Sequence, residues 1–489
     1  MSVKAVMPML IKGKPYDHQV EGFNYICDLF GLVDGNVKSH GAMVLCEMGL
    51  GKGLIAISVT GALLQYGFVS RVLVVCPLSV IGVWENEFPK FADFDTEVTA
   101  LRNSLSKTRK IQLIREAAEK AKDEDAPMQI LVVNYESAWI LKKELLEFSP
   151  DLIIADEGHK IKNPKSKRAA GLHELGDNAR YRMLLTGTLI TNKEMDAFSQ
   201  YRFANSNIFG RSFYAFRNRY FEMVGYGFHI PVFRESRRED FLKRMHSIAF
   251  RKTKDEALNL PEKTEEVRTV ELEPKVMKLY REIEKESYAE LGKDEISAVN
   301  VLTRMLRLSQ ITGGFVGDDE KNIHAVSTAK LDAVMDIVDS AMADGQKLVI
   351  MCRFVPEMDG IEAELTKRDI PFAHVRGGVK DRAEEVRRFQ EDADCSVFIG
   401  QIAAAGVGIT LTAASTMVFY SLDYDMSNFQ QAQDRIHRIG QKNACHYIYL
   451  VADKTVDGKV LQSLRDKTNL ARMLVDDYRR GLNPFANTK

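Results

Sequence analysis

Cysteine is scarce in this chain, and nothing in the spacing pairs it. Six cysteines (Cys27, Cys46, Cys76, Cys352, Cys395 and Cys445) are scattered singly through 489 residues. That distribution excludes a secreted disulfide framework and lacks the paired spacing of a zinc site, so buried, inert thiols in a reducing compartment are expected. An excess of charge is missing too. Lysine plus arginine is 67 against 68 acidic residues, a formal net charge of -1. No global field therefore draws the chain to nucleic acid or an anionic membrane, and a polyanion has to be met by a local patch. The first residues, MSVKAVMPMLIKGK, lack the basic and then apolar pattern of a signal peptide, so export is not expected. Only 53–70 and 396–422 are uncharged over about the length of a bilayer span, and Gly, Ser, Thr or Gln interrupt both. No membrane span is expected, and neither a repeat nor a low-complexity tract is present.

What is present is a recurring strand signal. Short β-branched runs stand at 42–48, 71–77, 129–135, 151–157 and 182–188, and again at 347–353, 396–402, 415–421 and 446–452. Between them lie segments of helical spacing such as 108–122 and 381–390. Strands apolar on both faces that alternate with helices predict parallel sheets covered on both sides, hence an α/β chain of two lobes. Residues 205–327 show no comparable strand series, and charged periodic stretches such as Glu273 to Leu291 read as helices, so this region is expected to be a helical insert or linker. The tail from Asp457 is helical in pattern, with Val460, Leu461, Leu464, Leu470, Met473 and Leu474 placed to pack back onto a lobe. The expected division is 1–204, 205–326, 327–456 and a C-terminal helical brace at 457–489.

Three strings carry chemistry. EMGLGKG (Glu47 to Gly53) follows a strand and opens a helical segment, the context in which Gly49 and Gly51 let backbone N–H groups reach phosphate oxygens and Lys52 adds charge. DEGH (Asp156 to His159) stands at the C-terminal end of a strand, where open parallel sheets place ligands; one acid can hold Mg²⁺ and its neighbour can orient the attacking water. QAQDRIHRIGQ (Gln431 to Gln441) sets Gln431, Asp434, Arg435 and Arg438 at helical spacing, so two guanidinia could reach a phosphate bound by the first lobe. A glycine turn, a solvated strand end and an exposed basic helix would each look similar alone; the set is what points to phosphoryl transfer.

With these residues the chain resembles the superfamily-two helicases, and within them the SWI/SNF-type DNA translocases. The resemblance runs in order through YDHQ (Tyr16 to Gln19), EMGLGKG, VVCPLSVIGVWENEF (Val74 to Phe88), VVNYES (Val132 to Ser137), DEGHKIKNPKS (Asp156 to Ser166), LLTGTLITN (Leu184 to Asn192), FRKTKDEALNLPEK (Phe250 to Lys263), AAAGVGITLTAAS (Ala403 to Ser415) and QAQDRIHRIGQ. The wording looks closest to the compact fork-remodelling and annealing-helicase branch, and so bare a motor suits a bacterium or a virus. The resemblance implies two RecA-like lobes with helical insertions and a C-terminal helical segment. It also implies ATP and Mg²⁺ as cofactors and a monomer in the cytosol, or in the nucleus of a eukaryote. By the same resemblance Tyr16, Gln19, Met48, Gly49, Leu50, Gly51, Lys52, Gly53, Gly408 and Arg438 hold the nucleotide, Gln19 at the adenine. Asp156 and Glu157 lie at the metal and its water, and Lys52, Asp156, Glu157, Arg435 and Arg438 carry catalysis. Gly406 and Gly408 couple ATP state to DNA grip, and Thr186 and Thr188 couple the lobes. Two positions depart from the pattern. Gly53 stands where the family has a hydroxyl that ligates Mg²⁺, so a water is expected to replace it and metal binding to weaken. Gly158 replaces an alanine and is expected to loosen the backbone.

The local patch that the net charge requires lies at 202–254, where 12 lysines and arginines face four acids among twelve aromatic residues. Cations beside rings suit DNA; equally, the rings can form a small core with the charges outside. Within it, Tyr220 to Phe233 reads as a hairpin around a Gly-Tyr-Gly turn, either a strand-separating wedge or a structural element. The expected function is an ATP-driven DNA translocase that acts on duplex and branched DNA without sequence preference. The alternatives are a remodeller of protein–DNA complexes that needs a targeting partner, and a non-catalytic DNA-binding scaffold.

Overall fold

The structure is a computed structural model. It describes residues 3–489 except 188, 190–193, 225–229, 258–259, 292–297, 319, 321, 380, 406–408, 467–469, 471–472, 475–476, 478–482, 484 and 486–489. The chain divides into two compact units, Met1–Asn259 and Leu260–Lys489.

The first unit is built on strands β1 (Gly41–Cys46), β2 (Arg71–Cys76), β3 (Thr96–Ala100), β4 (Met128–Asn134), β5 (Leu152–Asp156) and β6 (Tyr181–Leu185), the hairpin β7 (Phe221–Val224) and β8 (Ile230–Phe233), and β9 (Ala249–Lys252). Seven of them form one sheet in the order β3-β4-β2-β5-β6-β1-β9, parallel at each pairing. The β-branched runs β2, β4 and β5 lie inside it and are buried on both faces, as their unbroken apolar sequence requires. Helices α1 (Asp17–Leu29), α2 (Lys52–Gln65) and α3 (Ile81–Phe91) bring the first motifs together, α2 packing against both others. Residues 54–63 of α2 are apolar on nearly every side, which suits a helix covered all round.

The second unit holds β10 (Lys263–Val270), a small antiparallel pair β11 (Phe315–Gly317) and β12 (Ile323–Ala325), β13 (Leu348–Cys352), β14 (Phe372–Val375), β15 (Val397–Gln401), β16 (Thr416–Phe419) and β17 (Cys445–Ala452). Its sheet runs β10-β17-β16-β13-β15-β14, again parallel throughout. Val460, Leu461, Leu464, Leu470, Leu474 and Phe485 are buried in the core of this unit, with Met473 packed against it. Lys330, at the start of the helix Ala329–Ala343, pairs with Asp457 of the helix Val456–Arg465 at 2.6 Å with both side chains largely buried.

One expectation is corrected here. The region read as a helical insert or linker, without a strand series like those of the lobes, supplies an edge strand to each sheet: β9 pairs with β1, and β10 pairs with β17 over eight residues. An edge strand has one solvated side, so β10, KTEEVRTV, is half charged and carries no apolar run. Among the described residues no helix is long and apolar enough to cross a membrane. All six cysteines are free and buried, and burial pushes the Cys27 thiol up to about 12 and Cys46 to about 11, which keeps both protonated and unreactive.

Candidate functional site

The phosphate loop spans the gap between the end of β1 at Cys46 and the start of α2 at Lys52. Gly49 (φ 86°) and Gly51 (φ 74°) are left-handed, the region that costs other residues most. At Gly51 a Cβ would also stand 2.2 Å from Gln19 Nε2, so a side chain there would push the Gln19 amide off the loop. Gln19 is buried and grips the loop: Nε2 donates to the Leu50 carbonyl at 3.2 Å, and Oε1 accepts the Tyr16 N–H at 2.9 Å. His18 Nε2 lies 2.9 Å from the same carbonyl. A carbonyl only accepts, so Nε2 carries the proton; burial, as the largest effect, holds the imidazole below its usual pKa. The exposed Tyr16 ring stacks on His18, with centroids 5.8 Å apart. Lys52 is 9% exposed and donates to Cys46 O at 3.1 Å. Glu47 is tied to the far edge of the sheet, its N–H donating to Lys252 O and its carboxylate accepting the Lys254 N–H at 3.0 Å. Those two lysines, although part of the basic segment 202–254, thus belong to the frame of the loop.

The acids stand at the end of β5, with β6 between it and β1. Asp156 Oδ2 accepts the Trp84 indole N–H from α3 at 2.9 Å, and Oδ1 accepts the Glu157 N–H at 2.9 Å. Burial, then the neighbouring Glu157 charge, push the Asp156 carboxyl up to about 6, while the Trp84 bond and the Lys52 charge pull the other way. Lys52 is therefore close enough to act on Asp156. Glu157 is a non-glycine residue at φ 52°, a strained conformation that turns its buried carboxylate to within 3.3 Å of His159 Nδ1. Gly158 does not loosen this turn: a Cβ there would stand 2.2 Å and 2.4 Å from Leu184 Cδ2 and Cγ, in the core, so close packing requires the glycine. Gly187, just past β6, lies against the loop, where a Cβ would meet Met48 Cγ at 3.1 Å.

This donor set fits a nucleotide with Mg²⁺. Backbone N–H groups at the start of a 14-residue helix, glycines where a Cβ would collide and a lysine suit polyphosphate. Among the described residues no group of three or more His, Cys, Asp or Glu side chains is placed to hold a metal. Mg²⁺ needs fewer, since it takes one or two carboxylates and draws its other ligands from water and phosphate.

In the second unit the arginines are neighbours, but not by helical periodicity. The helix Met426–Gln433 ends before Asp434, and 434–440 is a series of turns closed by Gly440 at φ 101°. The carbonyls that a continuing helix would use are taken from outside it: Leu411 N–H donates to Arg435 O, and the Gln441 side chain donates to Ile436 O. Arg435 and Arg438 nevertheless converge, each donating an Nη1 to Ile409 O, at 3.0 and 3.1 Å. Gly406 and Gly408, Thr188, and the hairpin residues Tyr226 and Phe228 lie outside the described residues; Thr186 is fully buried after β6.

In the basic and aromatic segment the described rings mostly form a core. Phe209, Phe216, Tyr220, Phe221 and Phe241 are buried and in mutual ring contact, with Phe233 stacked on Tyr220 and edge-on to Phe241. Tyr214 is the ring left 59% exposed, beside Arg217. A different basic recess lies past the C-terminal ends of β2 and β4: a cavity of about 510 Å³ whose lining includes Pro77, Asn134, Lys110, Lys160 and Arg168. Lys110 donates to Ser137 Oγ at 3.2 Å, and burial lowers its pKa. No single string in the sequence joins these three cations: Lys160 lies in DEGHKIKNPKS, while Lys110 and Arg168 lie outside it.

Comparison with known proteins places both units. Residues 18–313 match the SNF2-related domain, and residues 329–440 match the helicase conserved C-terminal domain. The DNA repair and recombination protein RAD54-like of Danio rerio is 26% identical over 509 residues, covering 94% of this chain and 67% of the relative. The protein of the same description from Gallus gallus is 27% identical over 504 residues, with the same coverage. The DNA repair and recombination protein RDH54 of Saccharomyces cerevisiae strain RM11-1a is 25% identical over 531 residues, covering 94% of this chain and 56% of that protein. The chain thus spans about two thirds of the length of the vertebrate relatives and little more than half of the yeast one. Among solved structures, the Sulfolobus solfataricus SWI2/SNF2 ATPase core in complex with dsDNA matches at 23% identity and TM-score 0.45, covering 99% of this chain and 100% of that chain.

Proposed function

The chain belongs to the SNF2-related family, the SWI/SNF-type DNA-dependent ATPases of helicase superfamily two, and from that membership we propose an ATP- and Mg²⁺-driven translocase on DNA whose preferred substrate is branched. The observation that carries the site is that the phosphate loop with Lys52, after β1, and Asp156, at the end of β5, stand at the C-terminal ends of strands separated only by β6, the loop clasped from α1 by Gln19 and His18. In this reading the glycine loop and Lys52 bind the β and γ phosphates, and Tyr16 with Gln19 forms the base side of the pocket. Mg²⁺, when bound, offsets phosphate charge. Asp156 holds the cation, and Glu157 orients and deprotonates the attacking water. Arg435 and Arg438 stabilise charge on the transferring phosphoryl group. Lys110, Lys160 and Arg168 meet backbone phosphates of DNA, which makes binding largely independent of sequence.

The test is hydrolysis measured with single-stranded, duplex, forked and four-way DNA and with RNA. Stimulation by DNA, strongest with the branched forms, is expected. Arg438→Ala is expected to lower turnover by roughly 10³-fold or more with DNA binding retained. Near-normal DNA-stimulated hydrolysis in a folded Glu157→Gln or Arg438→Ala protein would overturn the site, and equal stimulation by plain and branched duplex would remove the branched preference.

A further inference from the structure

The residue after the phosphate-loop lysine is Gly53, which has no hydroxyl to offer a cation where phosphate loops ordinarily place serine or threonine. The structure shows what stands there instead. A Cβ built on Gly53 would lie 2.3 Å from Glu87 Oε2 and 3.3 Å from Glu87 Cδ, closer than side chains approach one another. The place expected to hold a water is filled by a carboxylate, and Gly53 is the residue that leaves room for it.

Helix α3 explains how the carboxylate gets there. Trp84 and Glu87 are three residues apart, on one face of α3. Trp84 is buried and bonds Asp156, the acid at the end of β5; Glu87, half-buried, reaches the first turn of α2 beside Lys52. One helix face therefore touches both sides of the nucleotide site, bonding the cation-side acid Asp156 and setting a carboxylate at residue 53. A carboxylate at a helix start is also favoured by the helix dipole.

We propose that Glu87 supplies the phosphate-loop oxygen that holds the divalent cation, in place of the missing hydroxyl; this rests on the ATP site proposed above. The exchange changes the charge of the site. A neutral hydroxyl is indifferent to a nucleotide that arrives without metal, whereas a carboxylate repels its phosphates and attracts the cation. Nucleotide binding becomes tightly dependent on the metal, and the loss at residue 53 is compensated from a different element.

The experiment measures ADP binding to the full chain with and without Mn²⁺, and Mn²⁺ binding with ADP by electron paramagnetic resonance. Glu87→Gln keeps the shape of the side chain and is expected to raise the half-saturating Mn²⁺ concentration roughly 10-fold or more, while ADP alone binds more tightly than to wild type. A purely structural glutamate would not move the two affinities in opposite directions. Gly53→Thr alone is expected to push the Glu87 carboxylate aside, and Gly53→Thr with Glu87→Ala to regain Mn²⁺ dependence through the new hydroxyl. Wild-type Mn²⁺ and ADP binding with an unchanged Mn²⁺ requirement in Glu87→Gln would overturn the role of Glu87 and leave the ATP site standing. Absence of ADP binding to wild type in either condition would overturn both.

Discussion

At the scale of single residues, two glycines mark the boundary of what a string can reveal. Gly53 and Gly158 both stand out in sequence as departures, yet what each does is decided by a side chain from another segment, Glu87 in one case and Leu184 in the other. By contrast Lys52, Asp156 and Glu157 are legible because the backbone turn that presents each of them is encoded next to it. Buried ionisable groups away from the site are less legible still, and Glu357 shows why they matter. It is 3% exposed, with Oε2 accepting from Ser421 Oγ at 2.5 Å and from the Phe354 N–H at 3.1 Å. Burial pushes its carboxyl from 4.5 up to about 7; Lys330 opposes the rise and the Asp457 charge adds to it. Cys352 also faces it and is held protonated by its own burial. The folded chain therefore keeps a proton that the unfolded chain loses over this interval, so stability falls as pH rises from about 4.5 to about 7 and then levels off. Glu357→Gln cannot ionise, so its stability relative to wild type is expected to grow by on the order of 3 kcal/mol across that window. Parallel pH profiles in urea unfolding of the two proteins would contradict this.

At the scale of elements, the strands that the sequence does not announce are the edges. β3 and β9 bound the first sheet, β10 and β14 the second, and none lies in an apolar run like those of the interior strands. Periodicity reports burial, and an edge strand is buried on too few sides to write it. The same logic explains 434–440, where helical spacing persists in the residue pattern but tertiary donors have taken the carbonyls. The joint between elements with the largest expected effect is the pair Lys330–Asp457, which joins two helices of the second unit. Lys330 Nζ donates also to Tyr420 O, and Asp457 accepts from Thr312 Oγ1 and the Ala452 N–H. Removing the lysine strands a buried carboxylate, so Lys330→Met is expected to cost about 3–5 kcal/mol. Lys330→Met with Asp457→Asn removes the stranded charge while its one amide oxygen still accepts the Ala452 N–H and its NH2 faces the Thr312 hydroxyl, and is expected to recover about half of the loss or more. A double variant no more stable than Lys330→Met in urea would show that packing, not charge, holds this joint.

At the scale of the whole molecule, a chain with net charge -1 has to concentrate its cations to meet DNA. The segment 202–254 has the local excess, but most of it is already used within the fold. Arg202 and Arg211 face Asp177, Arg219 and Arg244 share Asp240, Arg238 binds Glu235 and Glu194, and Lys252 binds Glu21. Such pairs offset their own charge and release few counterions when a phosphate arrives. Arg234, Arg237 and Lys243 are exposed and have no ion-pair partner among the described residues, so the share of this segment in DNA binding should reside in them. Every phosphate left without its cation flattens the dependence of log affinity on log salt by about 0.9. Changing all three to glutamine is therefore expected to reduce the slope for duplex DNA by about 3, with the unfolding temperature unchanged. Arg219→Gln with Arg244→Gln should do the reverse, leaving the slope alone while lowering the unfolding temperature, because Asp240 then loses both cations and the Tyr220 hydroxyl bonded to it loses a fixed partner. A slope unaffected by the triple change would exclude this face from the DNA path and leave the recess of Lys110 and Lys160, where Arg168 is paired with Glu136, as the basic surface of the first unit to test next.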